Sequence, residues 1–229
     1  MIKGTLKIQN IKCKRKGSIQ LPTETFFNLP EEKRERILNA AIDEFSQQSI
    51  KNSSVSKIIK NAGIPRGSFY QYFSDIKDFY KYILNIIGDK KLKYLYYVMG
   101  NLDNLGTLEI IGELYISGIK FAKDNPKLAA IGNKFLKESD EVKKEFLGEL
   151  EGKSNDFFYQ ILKKGQEKGD ISEDVDIETA AFMFFNMNIA MVDDFIKGLS
   201  IGGELVGIDA FLDKADKILY IIGNGIKKR

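Results

Sequence analysis

Apolar residues recur at every third or fourth position through most of the chain, the spacing that places them on one face of an α-helix. The first such run begins at Pro30, whose fixed φ suits the first turn of a helix, and continues through Ile37, Ala41 and Phe45. Further helical runs cover about residues 74–99, 105–123, 125–136, 140–168, 176–197 and 206–227. Evenly spaced strand runs with turn pairs between them do not occur. The pattern therefore predicts an all-α protein.

The stretch over residues 54–73 has the signals of two short helices joined by a tight turn. Ser54 suits the N-cap of the first of these helices. Gly63 can adopt the left-handed conformation that ends a helix, and Ile64 can fill the turn. Pro65 suits the start of the next helix. These signals predict a helix-turn-helix, a motif found both in ordinary helical hairpins and in DNA-binding proteins.

The last two predicted helices are apolar around more of their circumference than a single buried stripe requires. Such helices must be covered on several sides, so we expect them to form a dimer surface. The alternative is burial of the same residues inside one subunit. The predicted interface consists of Ala181, Phe184, Asn188, Met191, Phe211, Ile218 and Ile222.

Composition narrows the classes of function that remain. The chain of 229 residues contains one cysteine and no histidine, so an internal disulfide, a histidine-based zinc site and Ser-His-Asp catalysis are excluded. We expect no catalytic residues, no metal and no cofactor. The longest uncharged apolar stretch, over residues 179–192, is shorter than the roughly 20 residues that cross a bilayer. Without a membrane span or a signal-peptide pattern, the expected location is the cytoplasm.

Charge is distributed unevenly along the chain. Residues 1–20 contain six Lys or Arg and no acid, whereas acids outnumber bases over residues 91–229. Residues 1–28 also lack helical periodicity, which predicts a basic flexible arm. Such an arm can contact DNA phosphates, or it can be a tail without that function.

The residues of the first three helices resemble the DNA-binding domain of the TetR family of bacterial transcriptional regulators. The match covers about residues 31–91 and includes Arg34, Ile37, Leu38, Ala41 and Phe45, then Ser54, Val55, Ile58, Ala62, Gly63, Ile64, Gly67, Ser68, Phe69, Tyr70, Tyr72 and Phe73. This resemblance implies a three-helix DNA-binding domain over residues 29–91. It also implies a helical bundle over residues 92–229 that dimerises and binds a small effector.

The resemblance further implies that the third helix enters the major groove of DNA. Its base-facing positions are Arg66, Gly67, Ser68 and Gln71, and its phosphate or sugar contacts are Ser54, Tyr70 and Tyr72. Lys77 is a further candidate for a phosphate contact, because Ile76 stands where the family usually has a lysine. Candidates for an effector pocket, which can equally be core residues, are Tyr94, Tyr97, Phe121, Phe157, Phe158 and Met183.

These expectations define a DNA-binding regulator that acts as a homodimeric, ligand-responsive repressor on a pseudo-palindromic operator. Its expected partners are double-stranded DNA, a second copy of the chain and a small-molecule effector, without a membrane. The alternative is a helical ligand-binding or scaffold protein without operator recognition.

Overall fold

The computed structural model describes residues 22–100, 104–147, 153–202 and 208–225. Regular secondary structure in these ranges is helical and contains no strand, which confirms the all-α prediction. The elements in chain order are α1 (Glu24–Phe27), α2 (Glu31–Gln47), a 3-10 turn (Ile50–Asn52), α3 (Val55–Ala62), α4 (Arg66–Tyr72), α5 (Ile76–Gly100), α6 (Thr107–Asp124), α7 (Pro126–Leu136), α8 (Asp140–Leu147), α9 (Lys153–Lys168), α10 (Ile177–Gly202) and α11 (Ile208–Asn224).

Aromatic side chains form the core of the N-terminal part. Phe45 of α2, Phe69 of α4 and Phe79 of α5 are each at most 1% exposed. The rings of Phe73 and Phe79 stack with centroids 4.0 Å apart, so the end of α4 is fixed against the start of α5. Burial of large aromatic surfaces is the main source of stability for so small a helical unit.

The segment directly before α2 belongs to this core. Phe26 of α1 is fully buried, and its ring lies 5.9 Å from that of Tyr72 and 5.1 Å from that of Phe73. The Thr23 hydroxyl donates a hydrogen bond to the Gln71 carbonyl at the end of α4. The predicted flexible arm over residues 1–28 is therefore wrong for its last part, because a buried aromatic residue anchors it; residues 1–21 lie outside the described residues.

Helices α5 and α7 connect the N-terminal part to the larger C-terminal bundle. The first turns of α5 are buried in the N-terminal core, whereas its later residues pack against α6 and α7. The ammonium of Lys127 on α7 lies 2.5 Å from the carboxylate of Asp43 on α2. Lys134, also on α7, donates to the Ser46 carbonyl at 2.6 Å. These polar contacts fix α7 along the end of α2.

Candidate nucleic-acid interface and ligand cavity

Helices α3 and α4 form the predicted helix-turn-helix, and the turn has the expected conformation. Gly63 ends α3 with φ 63° and ψ 41°, in the left-handed region that favours glycine. The Ile64 N–H donates to the Ile59 carbonyl at 3.1 Å, and the Ile64 side chain is only 7% exposed. Pro65 then stands at the N-cap of α4. The turn fixes the direction in which α4 leaves the domain.

The outward face of α4 is polar and contains no acid. Arg66, Gly67, Tyr70 and Gln71 are exposed, and Ser68 is half-buried. The Arg66 guanidinium donates to the Ser56 hydroxyl at 3.3 Å and to the Tyr70 hydroxyl at 3.2 Å. A helix that recognises bases in the major groove needs exposed hydrogen-bonding side chains, and α4 has them.

Ser54 stands at the N-cap of α3, but its hydroxyl makes no capping hydrogen bond. Instead, its backbone N–H donates to the carboxylate of Glu44 on α2, with an N···O distance of 3.0 Å. Glu44 is only 6% exposed, and the Lys57 ammonium lies 3.8 Å from it. Glu44 follows Ile37 by seven positions and Ala41 by three, so helical periodicity places it on the buried face of α2, and its partner is ten positions away in the sequence. The spacing thus indicates the burial of this carboxylate, whereas its backbone partner Ser54 has no local signal in the sequence.

Two of the predicted DNA-binding residues have other contacts in the structure. The Tyr72 ring is 3% exposed and packs against Phe26 in the core. Lys77 forms an ion pair with Glu145 of α8 at 2.5 Å, and this hydrogen bond raises the pKa of the lysine. Roles of Tyr72 and Lys77 in DNA binding therefore stay predictions, and neither side chain is free on the face formed by α4.

A cavity of about 390 Å³ lies between α5, α6, α7, α9 and α10. This volume falls in the range of small-molecule sites. Of the predicted pocket residues, Tyr94, Phe121, Phe157 and Phe158 line the cavity. Met183 does not line it and is instead 38% exposed. The Tyr97 side chain lies outside the described residues.

The cavity wall is mostly apolar, with a small number of polar groups whose contacts are defined. The Tyr94 hydroxyl donates to the Asp124 carboxylate at 2.8 Å. The Asn133 amide donates to the carboxylate of Asp193 at 3.1 Å. Lys91 is the one charged side chain among the described lining residues.

Four of the seven predicted interface residues are buried within the single subunit. Ala181, Phe184, Met191 and Phe211 are each at most 7% exposed, so they present little surface to a second copy. These side chains contribute to the subunit's own core, and their place in a dimer interface stays a prediction. Asn188 lines the cavity, and Ile218 and Ile222 are half-buried.

Periodicity alone did not identify the apolar side chains that α10 and α11 expose. Phe182 is 62% exposed and Tyr220 is 69% exposed, while Met183 and Ile221 are also exposed. Their place on the outer face depends on which side of each helix packs inward, and this is settled only by tertiary structure.

Two further kinds of site can be judged for the described ranges. There, no group of three or more Cys, Asp or Glu side chains is arranged to hold a metal ion. Nor does any helix in the described part have both the length and the apolar content to cross a membrane.

Comparison with known proteins defines the class. The family model for bacterial regulatory proteins of the tetR family matches residues 37–83. A solved TetR family transcriptional regulator from Chloroflexus aurantiacus J-10-FL is 30% identical, with a TM-score of 0.74, and the match covers 92% of this chain and 100% of that one. The chain therefore belongs to the TetR family, and it is a DNA-binding transcriptional regulator.

Two other relatives extend this comparison. The transcriptional regulator AcrR of Shigella flexneri is 37% identical over 68 residues, which span 28% of this chain and only 32% of that protein. The fold is also that of FadR from Bacillus subtilis, solved in complex with stearoyl-CoA, at 20% identity and a TM-score of 0.63. That match covers 84% of this chain and 99% of FadR.

Proposed function

We propose that the protein is a ligand-responsive repressor that binds a pseudo-palindromic DNA duplex as a homodimer. The observation that carries this proposal is the exposed, acid-free face of α4, which follows a rigid left-handed turn. A helix presented in this way fits the major groove, where base edges display a distinct pattern of donors and acceptors.

The residues of α4 divide into two roles. Arg66 and Gln71 carry the side chains that discriminate bases, since arginine pairs bidentately with guanine and glutamine with adenine. Gly67 leaves open space, because no heavy atom lies within 4 Å of the position a Cβ would occupy there. Tyr70 and Ser54 contact the phosphate backbone, which fixes the register of the helix on the duplex. Ser68 lies beside them and completes the base-facing set.

The dimer contact is assigned to the exposed apolar side chains of α10 and α11. The Phe195 and Phe211 rings lie 5.6 Å apart, and Lys214 pairs with Asp194 at 2.6 Å, so the end of α10 lies against the start of α11. Exposed apolar groups on two neighbouring helices favour association with a like surface.

The cavity is assigned to a small, mainly apolar effector. Its wall includes residues of α5 and α7, the two helices that also contact the N-terminal part. FadR, which shares the fold, was solved with stearoyl-CoA, and the apolar stearoyl chain of that ligand supports a ligand with an apolar part here. An effector that favours a dimer whose two α4 helices are spaced wrongly for DNA must weaken DNA binding. DNA must then weaken effector binding by the same factor.

The DNA assignment is tested by selection of bound fragments from a random duplex library. Wild-type protein should enrich a motif of two inverted half-sites. Arg66→Ala should relax specificity at one position in each half-site, at a cost of about 1–3 kcal/mol for a bidentate arginine–guanine pair. Gln71→Ala should relax a different position.

Gln160→Ala is the matched control, because Gln160 is exposed on α9, away from the helix-turn-helix. Its selected motif should equal that of the wild type. Failure of the wild type to enrich any motif would contradict the proposal and favour a helical ligand-binding or scaffold protein.

A further inference from the structure

Lys91 introduces an unpaired cation into an otherwise neutral cavity. Within the described residues, no hydrogen bond or ion pair reaches its ammonium. Its nearest recorded partner is the face of the Phe121 ring, with Nζ 5.6 Å from the ring centroid. Desolvation by the surrounding residues lowers the pKa of Lys91, and no carboxylate offsets this effect. Such a cation lacks a countercharge.

The carboxylates that bond to lining residues of the cavity already have protein partners. Asp124 accepts a hydrogen bond from Tyr94, and Asp193 is paired with Lys137 at 2.8 Å and with Lys197 at 3.1 Å. These carboxylates therefore do not provide a countercharge for the Lys91 ammonium. A desolvated charge without a partner is unfavourable, so a ligand that supplies a negative charge gains affinity at this position.

We propose that the effector is an amphipathic carboxylate, with its carboxylate against the Lys91 ammonium and its apolar part in the cavity. This inference rests on the proposed effector function and names the class of ligand. The apolar part contacts Leu114, Phe158 and Val192, which line the wall. Dispersion and burial of apolar surface supply the bulk of the affinity, and the charge selects the head group.

The charge count favours a monoanion over a ligand with several negative charges. The described lining residues provide one cation and no arginine. A phosphate monoester or a coenzyme A group would bring further negative charges without partners into or beside an apolar site. A cationic head group would place two like charges together. A neutral head group would leave the ammonium unpaired.

The test varies the head group on a constant chain. Isothermal titration calorimetry measures the affinities of dodecanoate, dodecanol, dodecyltrimethylammonium and dodecanoyl-CoA for the full-length protein. Dodecanoate should bind wild type roughly 10- to 100-fold more tightly than dodecanol, the range expected for a hydrogen bond to a charged group. Lys91→Met should remove most of this preference, and Lys91→Arg should keep it.

Lys93→Met is the matched control, because Lys93 is an exposed lysine on the same helix that does not line the cavity. It should preserve the preference for dodecanoate. Equal binding of dodecanol and dodecanoate by wild type would overturn the inference, as would a preference for dodecyltrimethylammonium, binding of dodecanoyl-CoA alone, or an unchanged preference in Lys91→Met. Absence of binding by all four ligands would overturn it too.

DNA selection on the same preparations separates this inference from the proposed function. If the protein enriches an inverted repeat and also binds dodecanol as well as dodecanoate, the regulator stands and only the ligand class is wrong. If no motif is enriched, the proposed function itself fails.

Discussion

Replacement of Glu44 by alanine should destabilise the helix-turn-helix more than the same replacement at an exposed acid of the same helix. The substitution removes the acceptor for the Ser54 N–H at the start of α3. Glu44 is 6% exposed, so water cannot fully replace the lost carboxylate. A hydrogen bond to a charged group contributes about 1.5–3 kcal/mol.

The ion pair between Glu44 and Lys57 adds little to this value. The Lys57 side chain is 59% exposed, and an ion pair with such a partner contributes at most about 1 kcal/mol. The expected loss for Glu44→Ala is therefore about 2–3 kcal/mol. In a protein of this size, each kcal/mol corresponds to a fall in melting temperature of roughly 2–4 °C.

The loss of unfolding free energy is measured by thermal and urea-induced unfolding, with far-ultraviolet circular dichroism as the signal. Glu35→Ala is the control, because Glu35 is exposed on the same helix, and its effect should stay within about 0.5 kcal/mol. Lys57→Ala separates the ion pair from the hydrogen bond and should cost less than about 1 kcal/mol. A stability of Glu44→Ala within about 0.5 kcal/mol of that of Glu35→Ala would refute the reasoning.

Two other predictions concern the C-terminal bundle. Phe182→Glu should yield folded monomers in sedimentation velocity, because Phe182 is 62% exposed and its charge would lie at the assigned dimer surface. Met191→Glu should instead unfold the subunit, because Met191 is 4% exposed. A Phe182→Glu protein that remains dimeric would contradict the assigned surface. Gly118→Leu should abolish ligand binding in calorimetry without loss of helix in circular dichroism, because the added side chain enters open space in the cavity wall; unchanged binding would contradict the cavity assignment.

The helix-turn-helix could be predicted from sequence because its signals are local. Gly63 at the turn, Ile64 beneath it and Pro65 before α4 act over a few residues, and the structure confirms each of them. Phe26 illustrates the opposite case. Its burial depends on rings that follow it by more than forty positions, so the absence of helical periodicity before α2 was misleading.

The burial of four of the predicted dimer residues has a related reason. An apolar stripe shows that a helix face is covered, but not whether the same chain or a second copy covers it. Phe184 is covered from within, since its ring stacks on Phe158 and its carbonyl accepts a hydrogen bond from the Tyr115 hydroxyl at 3.0 Å. The cavity residues were easier to predict, because helices α5–α9 hold many of the aromatic side chains of the bundle.

A contiguous set of contacts joins the cavity to the candidate DNA interface. Helix α7 lines the cavity through Ala129, Asn133 and Leu136, and its lysines contact the last turns of α2. A ligand that favours a different position of α7 therefore acts on the part of α2 around Asp43 and Ser46.

Glu44 lies between Asp43 and Ser46 in α2. Its carboxylate accepts a hydrogen bond from the N–H of Ser54, the residue directly before α3. The same segment of α2 thus receives the contacts of α7 on one side and fixes the start of the helix-turn-helix on the other. A ligand changes DNA affinity only if it binds two arrangements of the protein with different affinities. We therefore expect substitutions in this segment to change how strongly the effector affects DNA binding, although they contact neither ligand. The buried carboxylate of Glu44 therefore lies on one route of contacts between the cavity and the DNA-reading helices, and α5, which lines the cavity and stacks Phe79 on Phe73, provides another.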